Sequence, residues 1–195
     1  MSSFQPEHKQ TLLEIARSSI DHNLVHKKPP VLREEEFAAE LWESRASFVT
    51  LMINDSLRGC IGMLEATRPL IVDVAHNACA AAFCDPRFSP LSRAEFALLD
   101  IYISILSPST EMRFSSQEDL ISQLHVGQDG LILEEGRIHR GTFLPSVWES
   151  LPDPVNFLRQ LKRKAGLAPD YWSDTIRIYR YTTESISKDT LPITG

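Results

Sequence analysis

Two strand-forming runs joined by a turn constrain this chain more than any other feature. Residues 46–54 (ASFVTLMIN) are rich in β-branched and aromatic side chains, Asn54-Asp55-Ser56 is turn chemistry, and residues 57–64 (LRGCIGML) resume the pattern. Their spacing predicts an antiparallel hairpin. A second hairpin is predicted downstream, where Asp129-Gly130 turns into LILEE and Gly136-Arg137 turns back into IHRGTFL. IYISILS at 101–107 and TIRIYRYTT at 175–183 read as two more strands, making about six.

Helical periodicity fills the intervals. Leu12, Ala16, Ile20 and Leu24 recur four apart behind Pro6, predicting a helix over 6–24. A short helical stretch is expected around 34–42 and a longer one over 70–84, ended by Asp85-Pro86. Ser92 with Glu95, and Ser115 with Glu118, have the spacing of capping boxes, and Asp153-Pro154 opens a helix closed at Gly166. Local hairpins interspersed with helices point to an α+β fold of mainly antiparallel sheet with packed helices. We expect a single domain over residues 1–195, built as two lobes sharing one core. No strand leads into a Gly-rich turn of the kind that holds a dinucleotide, and no phosphate-binding loop motif is present, so no cofactor is implied.

Lys+Arg number 20 against 26 Asp+Glu in 195 residues, a net charge of −6. An acidic chain has no global field for gathering phosphates, which disfavours nucleic-acid binding. No apolar run is long enough to span a membrane and the first residues lack the pattern of a secretory signal. Three cysteines, Cys60, Cys79 and Cys84, are too few for a disulfide framework. The expectation is a cytoplasmic protein.

The unusual residues cluster in two places. In LRGCIG, two glycines inside a strand mark a bulge or a close backbone approach. Strict alternation places Arg58, Cys60 and Gly62 on one face, and Leu57, Gly59 and Ile61 on the other. A guanidinium two residues from a thiol would favour its thiolate or bind an anion. Asp85-Pro86-Arg87-Phe88 is a turn after a helix end, where Arg87 would join Arg58 in clamping a carboxylate or phosphate, or else pair with Asp85 to close the turn. On the 70–84 helix, Cys79 reads as an inert core thiol and His76 as a packed histidine, while Asp73, Asn77 and Cys84 form the opposite stripe, with Cys84 toward solvent or a cleft. Cys79 and Cys84 point about 140° apart on a helix, which argues against one metal ion reaching both. His125 and His139 are candidate bases by residue type alone, and K-R-K at 162–164 reads as a solvated helix end.

In order along the chain, L-R-G-C-I-G, A-A-F-C-D-P-R-F, I-L-S-P, G-Q-D-G-L-I-L, G-T-F-L-P-S-V-W, K-A-G-L and Y-W resemble the AMMECR domain family from about residue 10 to 184. The stretch W-E-S-L-P-D-P-V-N-F-L is most similar to its stand-alone prokaryotic branch, the A component of the AmmeMemoRadiSam system. The resemblance implies a two-lobed α+β fold and an association with Memo-like and radical S-adenosylmethionine proteins. It also carries the family signature onto Arg58, Gly59, Cys60, Gly62, Asp85, Arg87 and Phe88. Three readings of these residues stand open. The first is a binding or accessory module holding a small anionic ligand, peptide or modified side chain. The second is a thiol-dependent enzyme using Cys60 beside Arg58, and the third a ligand-free scaffold.

Overall fold

A computed structural model describes residues 4–191. In chain order the elements are α1 (Pro6–His26), β1 (Ser47–Ile53), β2 (Ser56–Gly62), α2 (Leu70–Phe83), α3 (Arg93–Phe96), β3 (Asp100–Leu106), β4 (Thr110–Glu111), α4 (Gln117–Ser122), β5 (Gly130–Glu135), β6 (His139–Phe143), α5 (Pro154–Lys164), β7 (Arg177–Tyr181) and β8 (Thr183–Ile186). The fold is α+β, as its pattern of hairpins and amphipathic helices requires. The chain divides into two compact units. One runs to Leu106 and resumes at Glu184, and the other is Ser107–Thr183.

The first unit is a four-stranded sheet of order β2-β1-β3-β8. Asn54 and Asp55 both adopt positive φ, at 49° and 59°, the backbone a tight two-residue hairpin between β1 and β2 needs. Val49, Leu51, Ile101 and Ile103 face one side of the sheet, where they are buried with Leu12, Ala16 and Ile20 of α1 and with Ile71, Val74, Ala75 and Ala78 of α2. Small residues on α2 let it lie close. A Cβ on Gly59 would stand 2.2 Å from the carbonyl oxygen of Ala81, so only glycine fits there. Asp73 and Asn77 are buried rather than solvated. Asp73 accepts from the Ser47 N–H (2.9 Å) and hydroxyl (2.7 Å), and the Asn77 amide donates to the Ser47 carbonyl (3.0 Å). The stripe expected to face away from the sheet therefore anchors α2 to the start of β1, and His76 is exposed instead of packed.

The second unit carries a sheet of order β4-β7-β5-β6. Phe157, Leu158 and Leu161 on one stripe of α5, with Ala165 just past its end, are buried with Leu131, Leu133 and Ile178. The Trp148 ring stacks on Phe157 at 3.7 Å, and its Nε1–H donates to the Asp129 carbonyl at 2.7 Å. Lys162, read as part of a solvated end, is fully buried. Its Nζ donates to the Gln117 side chain and lies 5.3 Å from the Trp172 ring. Among the described residues, each unit has its own cluster of buried apolar side chains.

Other departures are local. The 34–42 stretch forms two 3-10 turns, Glu34–Glu36 and Ala39–Trp42, in place of one helix. Ser116, not Ser115, caps α4, accepting from the Asp119 N–H, while the Ser115 N–H and hydroxyl both donate back to the Asp119 carboxylate. The strand expected over 175–183 breaks at Thr182 into β7 and β8, which belong to different sheets. No described helix is long and apolar enough to cross a membrane.

Candidate functional site

The site is assembled on β2, an edge strand of the first unit's sheet. Counting back from the hairpin turn, Ser56 opposes Ile53 and Leu57 opposes Met52, but Gly59 then opposes Leu51. Arg58 is therefore the extra residue of a β-bulge, and beyond it the register is displaced by one. The displacement puts Cys60 opposite Thr50 and Gly62 opposite Phe48. Leu57 and Cys60 consequently share a face and Gly59 takes the other, unlike the strict alternation expected from residue 57. The Thr50 hydroxyl donates to Cys60 Sγ across the strands at 3.2 Å. A Cβ on Gly62 would fall 2.3 Å from the Phe48 ring, so this glycine makes room for an aromatic neighbour.

The bulge turns Arg58 toward the segment that follows α2. Its Nε donates to Glu95 Oε1 at 2.8 Å and its Nη2 to Glu95 Oε2 at 3.3 Å and to the Ser89 carbonyl at 2.9 Å. Glu95 also accepts from the Ser92 N–H and hydroxyl at the start of α3. The Arg58 guanidinium and these Ser92 donors hold the Glu95 carboxyl down at about 2. Among the described residues, Arg58 Nη1 is buried with no hydrogen-bond partner.

Asp85 and Arg87 close the strand edge at Cys60. The Cys60 N–H donates to Asp85 Oδ2 at 2.9 Å, and Arg87 Nη2 approaches the Cys60 carbonyl at 3.4 Å. The two side chains thus occupy the acceptor and donor positions that a neighbouring strand would supply. Arg87 meets Asp85 in a fork, Nε to Oδ1 at 3.0 Å and Nη2 to Oδ2 at 2.7 Å. That fork, with the Cys60 and Arg87 N–H groups, holds the Asp85 carboxyl well below the usual carboxylate range against the opposing effect of burial. The Asp85 side chain is only 2% exposed and the Arg87 side chain 54%. Phe88 sits between the two arginines, its ring centroid 5.6 Å from the Arg58 guanidinium carbon and 5.5 Å from that of Arg87.

The seven signature residues therefore come together around one strand edge, with a different division of labour from the one expected. Arg58 is directed at Glu95 and not at the thiol. The guanidinium beside Cys60 is that of Arg87, whose Nη2 lies 3.4 Å from the Cys60 carbonyl. Both guanidinium groups already face a carboxylate, so the cluster is close to neutral. Glu95, Ser89 and Thr50 were missed from sequence. The Ser92–Glu95 capping box was visible, but its second role as the partner of Arg58 was not. Thr50 emerges only once the bulge fixes the register.

The remaining candidates lie elsewhere. Cys79 is buried with its Sγ 3.3 Å from the Ser19 carbonyl, and burial pushes its thiol up to about 11. Cys84 is exposed. In the second unit, His139 Nδ1 lies 3.1 Å from the Ala165 carbonyl and His125 Nδ1 lies 3.3 Å from Asp129. Among the described residues, no three His, Cys, Asp or Glu side chains gather where they could hold a metal ion.

The sequence profile of the AMMECR1 family matches residues 13–186. The chain belongs to the AMMECR1 family. A protein of Saccharolobus solfataricus is 39% identical over 176 residues, covering 87% of this chain and 77% of its own length. A protein of Methanothermobacter thermautotrophicus is 36% identical over 187 residues, covering 92% and 94%. The crystal structure of an uncharacterized protein from Pyrococcus horikoshii superposes with a TM-score of 0.86 at 33% identity, covering 93% of this chain and 92% of that one. The AMMECR1 profile spans both compact units.

Proposed function

We propose that this AMMECR1-family protein is a binding or accessory module whose β2 edge, presenting Arg87, Phe88 and Cys60, receives an anionic group of a small ligand, peptide or modified side chain. The partners on this reading are the Memo-like and radical S-adenosylmethionine proteins that the family resemblance implies. One observation carries it. Arg87 is more than half exposed, yet its orientation is fixed by a fully buried carboxylate. A long cationic side chain held in one geometry has little rotamer freedom left to lose on binding, which is the condition for an efficient anion contact. The buried Nη1 of Arg58, without an acceptor among the described residues, supports the same reading.

The thiol-enzyme alternative has less support. Arg58 is turned away from Cys60, and among the described residues Sγ is hydrogen-bonded by the Thr50 hydroxyl, which is not a base at neutral pH.

The test follows the backbone N–H of Cys60 and the side-chain Nε–H of Arg87 by 15N NMR. The full chain is titrated separately with inorganic phosphate, a Memo-like protein and a radical S-adenosylmethionine protein of the same organism. At least one titrant should shift both signals, and Arg87→Gln should weaken that binding about tenfold or more at a temperature where the variant remains folded. No shift with any of the three, or equal binding by Arg87→Gln, would overturn the proposal.

A further inference from the structure

We infer that His22 and His26, on the last two turns of α1, form a bidentate site for a borderline divalent transition cation of the Zn2+, Ni2+ or Cu2+ class. The two residues are four apart, so their side chains lie one above the other on the helix surface. Their ring centroids are 4.3 Å apart with the planes inclined at 37°. An ion at about 2.0–2.1 Å from one nitrogen of each ring needs those nitrogens about 3 Å apart, and tilted rings with centroids 4.3 Å apart are close enough for rotation about the side-chain bonds to bring them there. Among the described residues, neither imidazole makes a hydrogen bond, so both lone pairs are available. His26 is exposed and His22 half-buried, which leaves the outer coordination positions open to water.

The site lies at the end of the helix. His26 is the final residue of α1, and Lys27 leaves the helix in the left-handed conformation with its N–H on the Asn23 carbonyl. The carbonyl end of a helix carries partial negative charge that favours cations at its last turn, and there the Lys27 ammonium already donates to the Leu24 carbonyl at 3.2 Å. Nearby Asp21 is paired with Arg93 and is not positioned as a third ligand by any contact in the structure. Two imidazoles and no carboxylate select borderline transition ions over Mg2+ or Ca2+, which prefer oxygen ligands. Chelation across one turn also fixes the end of α1. The bound form is consequently an ion with two protein ligands and several exchangeable positions, where a partner's own side chain could complete the shell.

Isothermal titration of the full chain with Cu2+, Ni2+, Zn2+ and Mg2+ tests the site, with His22→Gln and His26→Gln variants checked for unchanged circular dichroism in the absence of metal. The expected result is one binding event with Cu2+ tightest, none with Mg2+, and about tenfold or greater loss of affinity in each single variant, because each retains one imidazole. The Cu2+ form should show coupling to two equivalent nitrogens by electron paramagnetic resonance. Undiminished affinity in either variant, or a single-nitrogen spectrum, overturns the inference.

Discussion

Replacing Arg87 with alanine measures how firmly the strand edge is closed. The Asp85 carboxylate would keep the Cys60 and residue-87 N–H groups but lose both arms of the guanidinium fork, at 3.0 and 2.7 Å. Breaking a fully buried ion pair costs roughly 3–5 kcal/mol when one charge is left behind. Here Arg87 is half in water and two backbone donors remain, which lowers the expected loss to about 2 kcal/mol. Urea unfolding followed by Trp42, which packs against the first unit's core, should show the midpoint falling by roughly 1 M at a typical slope of about 2 kcal/mol per M. The pH dependence supplies the sharper check. In the wild type the Asp85 carboxyl is depressed, so its stabilisation is complete above the unfolded value of 3.8 and lost as pH falls below it. Without the Arg87 side chain the largest of the depressing causes is gone, so that stabilisation shrinks. The gap between wild type and variant should therefore be full at pH 7 and narrower at pH 3. A midpoint unchanged at pH 7, or a gap that widens in acid, would refute the edge-closing role.

Three further outcomes follow from the same geometry. Gly59→Ala forces a Cβ to within 2.2 Å of the Ala81 carbonyl, a backbone atom that cannot rotate away, so thermal unfolding should reveal a loss of about 3 kcal/mol or more; an unchanged midpoint would disprove the close approach. Glu95→Gln removes a carboxylate held at about 2, so the wild type's loss of stability between pH 4.5 and 2 should be shallower in the variant when both are followed by acid titration. Alkylation rates read by peptide mass spectrometry should rank Cys84 fastest and Cys79 slowest, with the half-buried Cys60 between them. A Cys60 faster than Cys84 at neutral pH would revive the thiol-enzyme reading.

Features set by local chemistry were legible in the sequence. The Asn54-Asp55 turn, the Ser92–Glu95 box and the Asp153 cap all depend on residues within four positions of each other, and each stands where its spacing placed it. What escaped depends on register or on distant packing. A single bulged residue at Arg58 decides which side chains share a face of β2, and nothing in a six-residue window distinguishes a bulge from regular strand. Asp73, Asn77 and Lys162 look like solvent-facing residues by type, and become core residues only because Ser47 and Gln117 arrive from elsewhere in the chain. The two stretches that hold the signature residues stood out by their own chemistry, and the family resemblance marked them as one signature. Spacing left Arg87 either to join Arg58 on one ligand or to pair with Asp85, and the fold shows the pair with Asp85 while Arg58 meets Glu95.

The return of β8 to the sheet of the first unit governs the order in which the chain becomes complete during synthesis. β3 is made long before its outer neighbour, because residues 107–182 lie between them. At ribosomal rates of about 5–20 residues per second, that edge waits several seconds, a bare ladder able to pair with another nascent chain. The inserted segment brings its own remedy. Its two ends are tied by the Ser107 N–H to the Thr182 carbonyl and by the Thr182 N–H to the Ser107 hydroxyl, each at 2.9 Å. Once those ends meet, the long loop between β3 and β8 is entropically a short one, and the last strand emerges beside the edge it must cover.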